Sequence, residues 1–320
     1  MDIIGTILWP IKWVVELILV AFHWLFTQMG LDPAAGITWV LAIVGLTVVV
    51  RAALIPIFVR QIKNQRRMLE IAPQLKKIQD KYKGKKDQFS REAMSRETMD
   101  LYKKTGTNPL SSCLPLLLQM PVFFSLFQVL NGAQSGKAGV GPLNETLAQQ
   151  FGNATLFGVA PLHQSFQGAM NAHPPQVAVM IIAAVMVILM TGSQFLTQLQ
   201  IVSKNMSPET KASPQFKQQR ILLYLLPFVF LFSGFAFPLG VMFYWLTSNL
   251  WTMGQQFLVI RNMPTPGSDA AKAREARLAK KGKLVQPDGA TVLTVEEQPK
   301  KQVQRVQPVS KARAKKQAGK

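Results

Sequence analysis

Apolar residues in this chain gather into long blocks rather than the short alternating stripes of a water-soluble fold. Blocks at 37 to 58, 110 to 130, 177 to 200, 221 to 236 and 239 to 260 each approach the ~20 residues that a helix needs to cross hydrocarbon. The fourth is short and extends through Phe237 and Pro238. This pattern predicts an all-α polytopic membrane protein with five transmembrane helices.

Residues 1 to 30 are also apolar but carry a polar stripe. Lys12, Glu16, His23 and Thr27 recur at spacings of four, seven and four, which places them on one helical face. An amphipathic helix on the membrane surface accounts for the stripe best, and Trp9, Trp13 and Trp24 suit an interfacial position. The competing readings are a sixth span and a signal peptide. The signal reading lacks a basic start before the apolar run and an obvious small-residue cleavage site after it.

Between the blocks the chain is strongly basic, with Lys+Arg 36 against Asp+Glu 16 in 320 residues. Residues 59 to 109 hold 14 Lys/Arg, 201 to 220 hold 4 and 261 to 320 hold 15, whereas 131 to 176 hold only Lys137. By the positive-inside rule the basic segments are cytoplasmic and 131 to 176 is an extracytoplasmic loop. The N-terminus is then outside, the C-terminus inside.

Two of the basic segments invite functional readings. Helical spacing of Ile62, Met68, Leu69, Ile71, Ala72, Leu75 and Ile78 predicts one arm of a helical hairpin over Gln61 to Tyr82, with its tip at Gly84 and a return arm to about Lys104. Some fifty residues exceed what a linker needs, so a docking surface is the functional reading and a solvated connector the plain one. Residues 261 to 320 turn to Pro, Gly, Ala, Gln and Lys and predict a disordered cytoplasmic tail, with a transient helix near Ala270 to Lys280. Its charge suits anionic lipid or ribosomal RNA equally, and a tail that merely sets topology is the simpler alternative.

Arg51 is the one charge inside the run from Ile37 to Phe58. It lies ~13 Å along the helix from Arg60, and a cation at that depth costs at least ~2.5 kcal/mol on the mildest insertion scale. No Asp or Glu occurs in the other four blocks, so its partner must be water, an amide, a hydroxyl or a transient ligand. Snorkelling to the interface is the alternative, strained by the distance. Thr47, one turn earlier, together with Gln119, Thr247, Ser248 and Asn249, supplies polar groups for a wet cavity, although such residues more often join helices to one another.

Catalytic chemistry has no visible seat. Cys113 stands alone, His23, His163 and His173 lack metal spacing, and there is no phosphate-binding glycine loop or nucleophile elbow. The expectation is a protein that is not an enzyme and takes no cofactor or metal. The lack of intramembrane carboxylates also weakens a cation-coupled transporter.

Four separated motifs then point to a family. The order VVVRAALIPI, RQIKNQRRMLEIAPQLKKIQDKY, LYKKTGTNPLSSCLPLLLQMPVFFSLFQVL and FYWLTSNLWTMGQQ resembles the YidC-type membrane protein insertases, relatives of the mitochondrial oxidase-assembly and thylakoid Albino insertases. The resemblance covers about residues 5 to 260. It implies a five-helix core around a hydrophilic groove open to the cytoplasm, with Arg51, Thr47, Gln119, Ser248 and Asn249 in the groove. Phe123, Phe124, Phe127, Tyr244 and Trp245 would form a hydrophobic slide. Two departures stand out: Trp245 follows Tyr244 where many members pair tyrosines, and the large outer domain of Gram-negative members is missing, as in Gram-positive forms.

The function so implied is insertion and folding of nascent client membrane proteins in the bacterial cytoplasmic membrane, alone or with a SecYEG-type translocon. The basic tail would reach the ribosome or anionic lipid. An anion channel or transporter using Arg51 for selectivity is the alternative from another class. A passive scaffold, indifferent to Arg51, is a third.

Overall fold

A computed structural model describes residues 3–85, 87–107, 114–208, 211, 221, 225, 234–285 and 291–293. Cys113, most of the block at 221 to 236 and the tail past residue 293 lie outside the described residues. The chain divides into two compact units, Met1–Arg274 and Glu275–Lys320.

The first unit is built almost wholly of helices. Helix α1, Ile3–Gln28, is followed by a turn in which Gly30 takes φ 97°. Helix α2, Gly36–Ala53, stops at Leu54 and α3, Ile55–Glu70, begins at once. The break follows from Pro56, which has no N–H to continue the ladder and whose ring crowds the preceding turn. The stretch Gly36–Asn64 is nonetheless long and apolar enough to cross a membrane, as are Gly5–Gln28 and Val177–Lys204.

The basic segment after α2 folds as α3, then α4, Ala72–Lys81, and α5, Gln88–Thr105. Where helical spacing predicts one continuous arm over Gln61 to Tyr82, the structure breaks it at Ile71, and Pro73 in the first turn of α4 is the reason. Gly84 takes φ 84° in the turn before α5. Asp87 caps α5 by accepting the Ser90 N–H at 2.8 Å, and Gly106 closes it in the left-handed conformation with φ 62°. Lys81 pairs with Glu97, and the Tyr82 hydroxyl reaches the same carboxylate at 2.9 Å, which ties α4 to α5.

Helix α6, Leu114–Gln134, leads into a folded segment rather than an open loop. That segment holds α7, Glu145–Asn153, capped by Asn144; a two-residue antiparallel pair, β1 Thr155–Leu156 and β2 Ala160–Pro161; and α8, Phe166–Asn171, capped by Ser165. It is fastened to the membrane helices through backbone. The Leu239 N–H donates to Gln164 O and the Gly240 N–H to Leu162 O, both at 3.0 Å.

Helices α9, Val177–Lys204, and α10, Leu239–Asn262, complete the bundle. Val179, Ala183, Met186, Val187 and Met190 of α9 face the core, while Val177, Ile181, Val185 and Ile188 are 49 to 68% exposed. Apolar residues on both faces of one helix suit lipid outside and protein inside. The core itself joins Leu19 of α1, Trp39, Ile43 and Leu46 of α2, Leu126 and Leu130 of α6, Phe151 and Leu162 of the folded segment, Met190 of α9 and Met242 of α10.

The polar stripe of α1 meets a different environment from the one its spacing suggests. Glu16 is 1% and His23 4% exposed, both turned into the protein. Glu16 accepts the Val140 and Gly141 N–H groups at 2.9 and 2.7 Å, and His23 stacks on Trp39 with Nε2 2.9 Å from Pro33 O. Glu16 and His23 thus belong to a packing face, whereas Lys12 and Thr27 of the same stripe are only half-buried. Trp9 and Trp24 are on the exposed side, at 51 and 62%.

Helix α11, Asp269–Ala279, follows α10 in the chain. Within the second unit β3, Lys283–Val285, pairs antiparallel with β4, Thr291–Leu293. This short ladder departs from the expectation of an unstructured tail; its strands carry Leu284, Val285, Thr291 and Val292, types that favour extended pairing.

Candidate functional site around Arg51

Arg51 sits in the last turn of α2, just before the break at Leu54. Its Nη2 donates to the Ser248 hydroxyl on α10, 197 residues away in sequence. The partner class follows from elimination, since no carboxylate is available among the apolar blocks; the hydroxyl satisfies one guanidinium donor without neutralising the charge. Arg51 Nε remains buried and unpartnered among the described residues.

A second polar contact crosses the bundle beside the first. Gln119 Nε2 on α6 donates to the Tyr244 hydroxyl on α10 at 2.8 Å, while Gln119 Oε1 is buried without a partner among the described residues. Thr47, Arg51, Gln119 and Tyr244 line one small cavity, and Val15, Leu46, Val50, Val122 and Leu126 supply its apolar wall. Thr47 spends its hydroxyl on its own helix, donating to Ile43 O at 2.7 Å. Asn249 is not among the lining residues, and its amide nitrogen is buried without a partner among the described residues.

The free space between these residues is about 10 Å³, close to the minimum for a single water. A polypeptide cannot enter without separation of α2, α6 and α10. Val15 in the wall brings α1 into the site, a contribution with no signal in the sequence because a lone valine in an apolar helix is unremarkable there.

The residues expected on a greasy face divide into two environments. Phe123 stacks on Trp245 with centroids 5.5 Å apart and planes 4° from parallel, and Phe127 packs on Phe123 at 6.3 Å. Phe124 is 42% exposed on the outer side. Tyr244, by contrast, is 4% exposed and belongs to the polar cavity. It still touches the aromatic group, its ring 6.4 Å from that of Phe123, while its hydroxyl turns to Gln119; Trp245, ~100° further round the helix, meets Phe123 from a different side of α10. Phe237 completes the aromatic group, edge-on to Phe127 and Trp245 at 5.8 and 4.8 Å. Sequence reading treats it only as an extension of the fourth apolar block.

No three His, Cys, Asp or Glu side chains gather in metal-binding fashion among the described residues. What the arrangement offers is a cation, a phenol, an amide and a threonine hydroxyl where α1, α2, α6 and α10 meet, flanked by an aromatic cluster. The class is thus a mostly helical membrane protein with a polar pocket inside its bundle.

Comparison with known proteins narrows the class. A family described as 60Kd inner membrane protein matches residues 30–266. The chain is 46% identical over 318 residues to a protein of Tropheryma whipplei (strain Twist) named membrane protein insertase YidC, covering 98% of this chain and 97% of that one. The relative so named in Bifidobacterium longum is 36% identical, covering 97% of this chain and 95% of its own length. That of Streptomyces avermitilis is 44% identical, over 85% of this chain and 61% of its own. The chain belongs to the YidC-type, 60Kd inner membrane protein family.

Proposed function

We propose that this protein inserts client membrane proteins into the bacterial cytoplasmic membrane, as its relatives' names state of them. The observation that carries the reading is Arg51, an intramembrane cation held by a serine hydroxyl rather than by an acid. Its charge is left for something else to meet, and acidic residues in the hydrophilic segment of a client have the complementary chemistry.

In the proposed mechanism five spanning helices surround a groove open to the cytoplasm, with the N-terminus outside and the C-terminus inside. A client's hydrophilic segment parts α2, α6 and α10 and exchanges the Arg51–Ser248 and Gln119–Tyr244 contacts for its own. The unpartnered Arg51 Nε, Gln119 Oε1 and Asn249 amide support this, because they are polar capacity unspent within the protein. The client's apolar helix then slides over Phe124 and the Phe123, Phe127 and Trp245 cluster into lipid. Transfer of about 20 apolar residues into the bilayer drives the step without a nucleotide. The hairpin of α4 and α5 receives clients, and the basic tail engages the ribosome or anionic lipid, alone or beside a SecYEG-type translocon. The channel alternative gains no support, since the space at Arg51 is only about 10 Å³ and its lining includes Val15, Leu46 and Leu126.

The test is depletion of the cell's own insertase and rescue with wild type, Arg51→Ala, Arg51→Lys or Arg51→Glu, scored by insertion of a client with a short acidic translocated tail. Rescue by Lys and failure of Ala and Glu at equal protein levels is the expected result. Equal insertion by all four would remove the charge from the mechanism.

A further inference from the structure

The turn between β1 and β2 displays two large apolar side chains at its tip. Phe157 is 79% and Val159 58% exposed. Phe157 also adopts φ 53°, a backbone region that bulky residues rarely enter, and Gly158 follows at φ 73°. A polar residue such as Asn would suit both the conformation and exposure to water better.

The position of the turn says what covers it. A Cβ on Gly36, the first residue of α2, would lie 2.6 Å from the Thr155 carbonyl carbon and 2.7 Å from the Leu156 nitrogen. Strand β1, at the base of the turn, therefore sits against the start of Gly36–Asn64, a stretch long and apolar enough to cross a membrane. The helices packed against the pair are apolar and exposed at their starts too: Ile37, the second residue of α2, is 39% exposed and Val177, the first residue of α9, is 60% exposed, with α2 against β1 and α9 against β2. Charge agrees: residues 146 to 176, which lie before α9, contain no Asp, Glu, Lys or Arg, although a water-bathed segment of that length ordinarily carries several.

We infer that the β1–β2 turn is a lipid-inserting tip, with Phe157 and Val159 seated in the headgroup and upper acyl region of the leaflet at which α2 begins. An aromatic and a branched aliphatic side chain on a neutral, tightly turned backbone suit that zone. The tip thereby fixes the depth and tilt of the segment that carries α7 and α8.

The experiment places a nitroxide at Phe157→Cys and, separately, Val159→Cys in full-length Cys113→Ser protein reconstituted in lipid nanodiscs. Collision with dissolved oxygen is compared with collision with a water-soluble nickel chelate. Ile188→Cys marks lipid and Lys137→Cys marks water. Both side chains are already exposed, so neither replacement empties a core. The expected oxygen-to-nickel ratio at 157 and 159 is several-fold above that at 137 and approaches that at 188. Ratios matching position 137 overturn the proposal and leave the tip as a surface for a protein partner; protection from both reagents overturns it in favour of packing within the chain.

Discussion

Replacing Glu16 tests how α1 is held against the rest of the bundle. Its two carboxylate oxygens each accept one backbone N–H, from Val140 and Gly141, in a site where Glu16 is 1% exposed. A buried donor left unsatisfied costs about 1–3 kcal/mol. Glu16→Gln keeps the shape and one acceptor but turns an NH₂ toward the other N–H, so the expected loss is about 1–3 kcal/mol. Glu16→Ala orphans both donors and loses about 2–6 kcal/mol before any cavity is counted. Gly139→Ala attacks the contact from the opposite side, because a Cβ there meets the Glu16 carboxylate. The assay is reversible unfolding in mixed micelles at rising denaturing-detergent fraction, read by tryptophan emission. The consequence reaches the proposed groove, since Val15, the preceding residue, lines the Arg51 cavity. Stabilities of Glu16→Gln and Glu16→Ala both within about 0.5 kcal/mol of wild type would refute the reasoning, because a buried clasp cannot be removed at no cost.

Three further outcomes follow from contacts elsewhere. Ser248→Ala removes the acceptor of the Arg51 guanidinium; bonds to charged groups are worth about 1.5–3 kcal/mol, so the same unfolding assay should fall by that amount while insertion of an acidic-tailed client falls less than with Arg51→Ala. Gly45→Ala places a methyl 2.6 Å from Phe22 Cδ1, and overpacking of about 1–3 kcal/mol should appear as a lower unfolding midpoint, relieved in the double variant with Phe22→Leu. The hydrogen bond from Lys81 holds Glu97 below the usual glutamate range, helped by Tyr82, and the same bond raises Lys81. The contact therefore stabilises the hairpin above the unfolded carboxylate value, is lost as pH falls through the lowered Glu97 value, and is lost again as pH rises through the raised Lys81 value. Spin labels at Lys77→Cys and Asp100→Cys should show one narrow distance between those limits and broader distributions beyond them.

What a one-dimensional pattern reveals here depends on whether a residue's own type carries the information. The apolar blocks are legible because helices such as α9 are apolar toward lipid and protein alike, so composition alone marks them. Arg51 is legible because a cation in hydrocarbon demands explanation, and the absence of carboxylates reduces its partner to a neutral polar group. Which hydroxyl serves is a matter of tertiary packing between α2 and α10. The breaks at Leu54 and Ile71 are written in Pro56 and Pro73, and a reading led by hydrophobic periodicity runs through both. Periodicity likewise assigns Glu16 and His23 to one face of α1 but is silent on what that face meets. The partners of Glu16 are backbone N–H groups more than a hundred residues away, and backbone donors have no side-chain signature.

The division between Tyr244 and Trp245 shows where helical geometry alone sharpens a reading by family resemblance. Resemblance groups both with a hydrophobic slide, yet neighbours on a helix diverge by ~100°. Both still meet Phe123, Tyr244 at 6.4 Å and Trp245 at 5.5 Å between ring centroids, and the phenol is the one whose hydroxyl also gains a hydrogen bond from Gln119 at 2.8 Å by turning inward. The indole stays against Phe123 and Phe237, where stacking suits its flat apolar surface. The tyrosine thus bridges the two groups, its ring on Phe123 and its hydroxyl toward Gln119, and its replacement by Phe should disturb the polar pocket and leave the Phe123–Trp245 stack in place. Loss of the stack in Tyr244→Phe, read as a change in the near-ultraviolet circular dichroism of the aromatic cluster, would return the phenol to the slide.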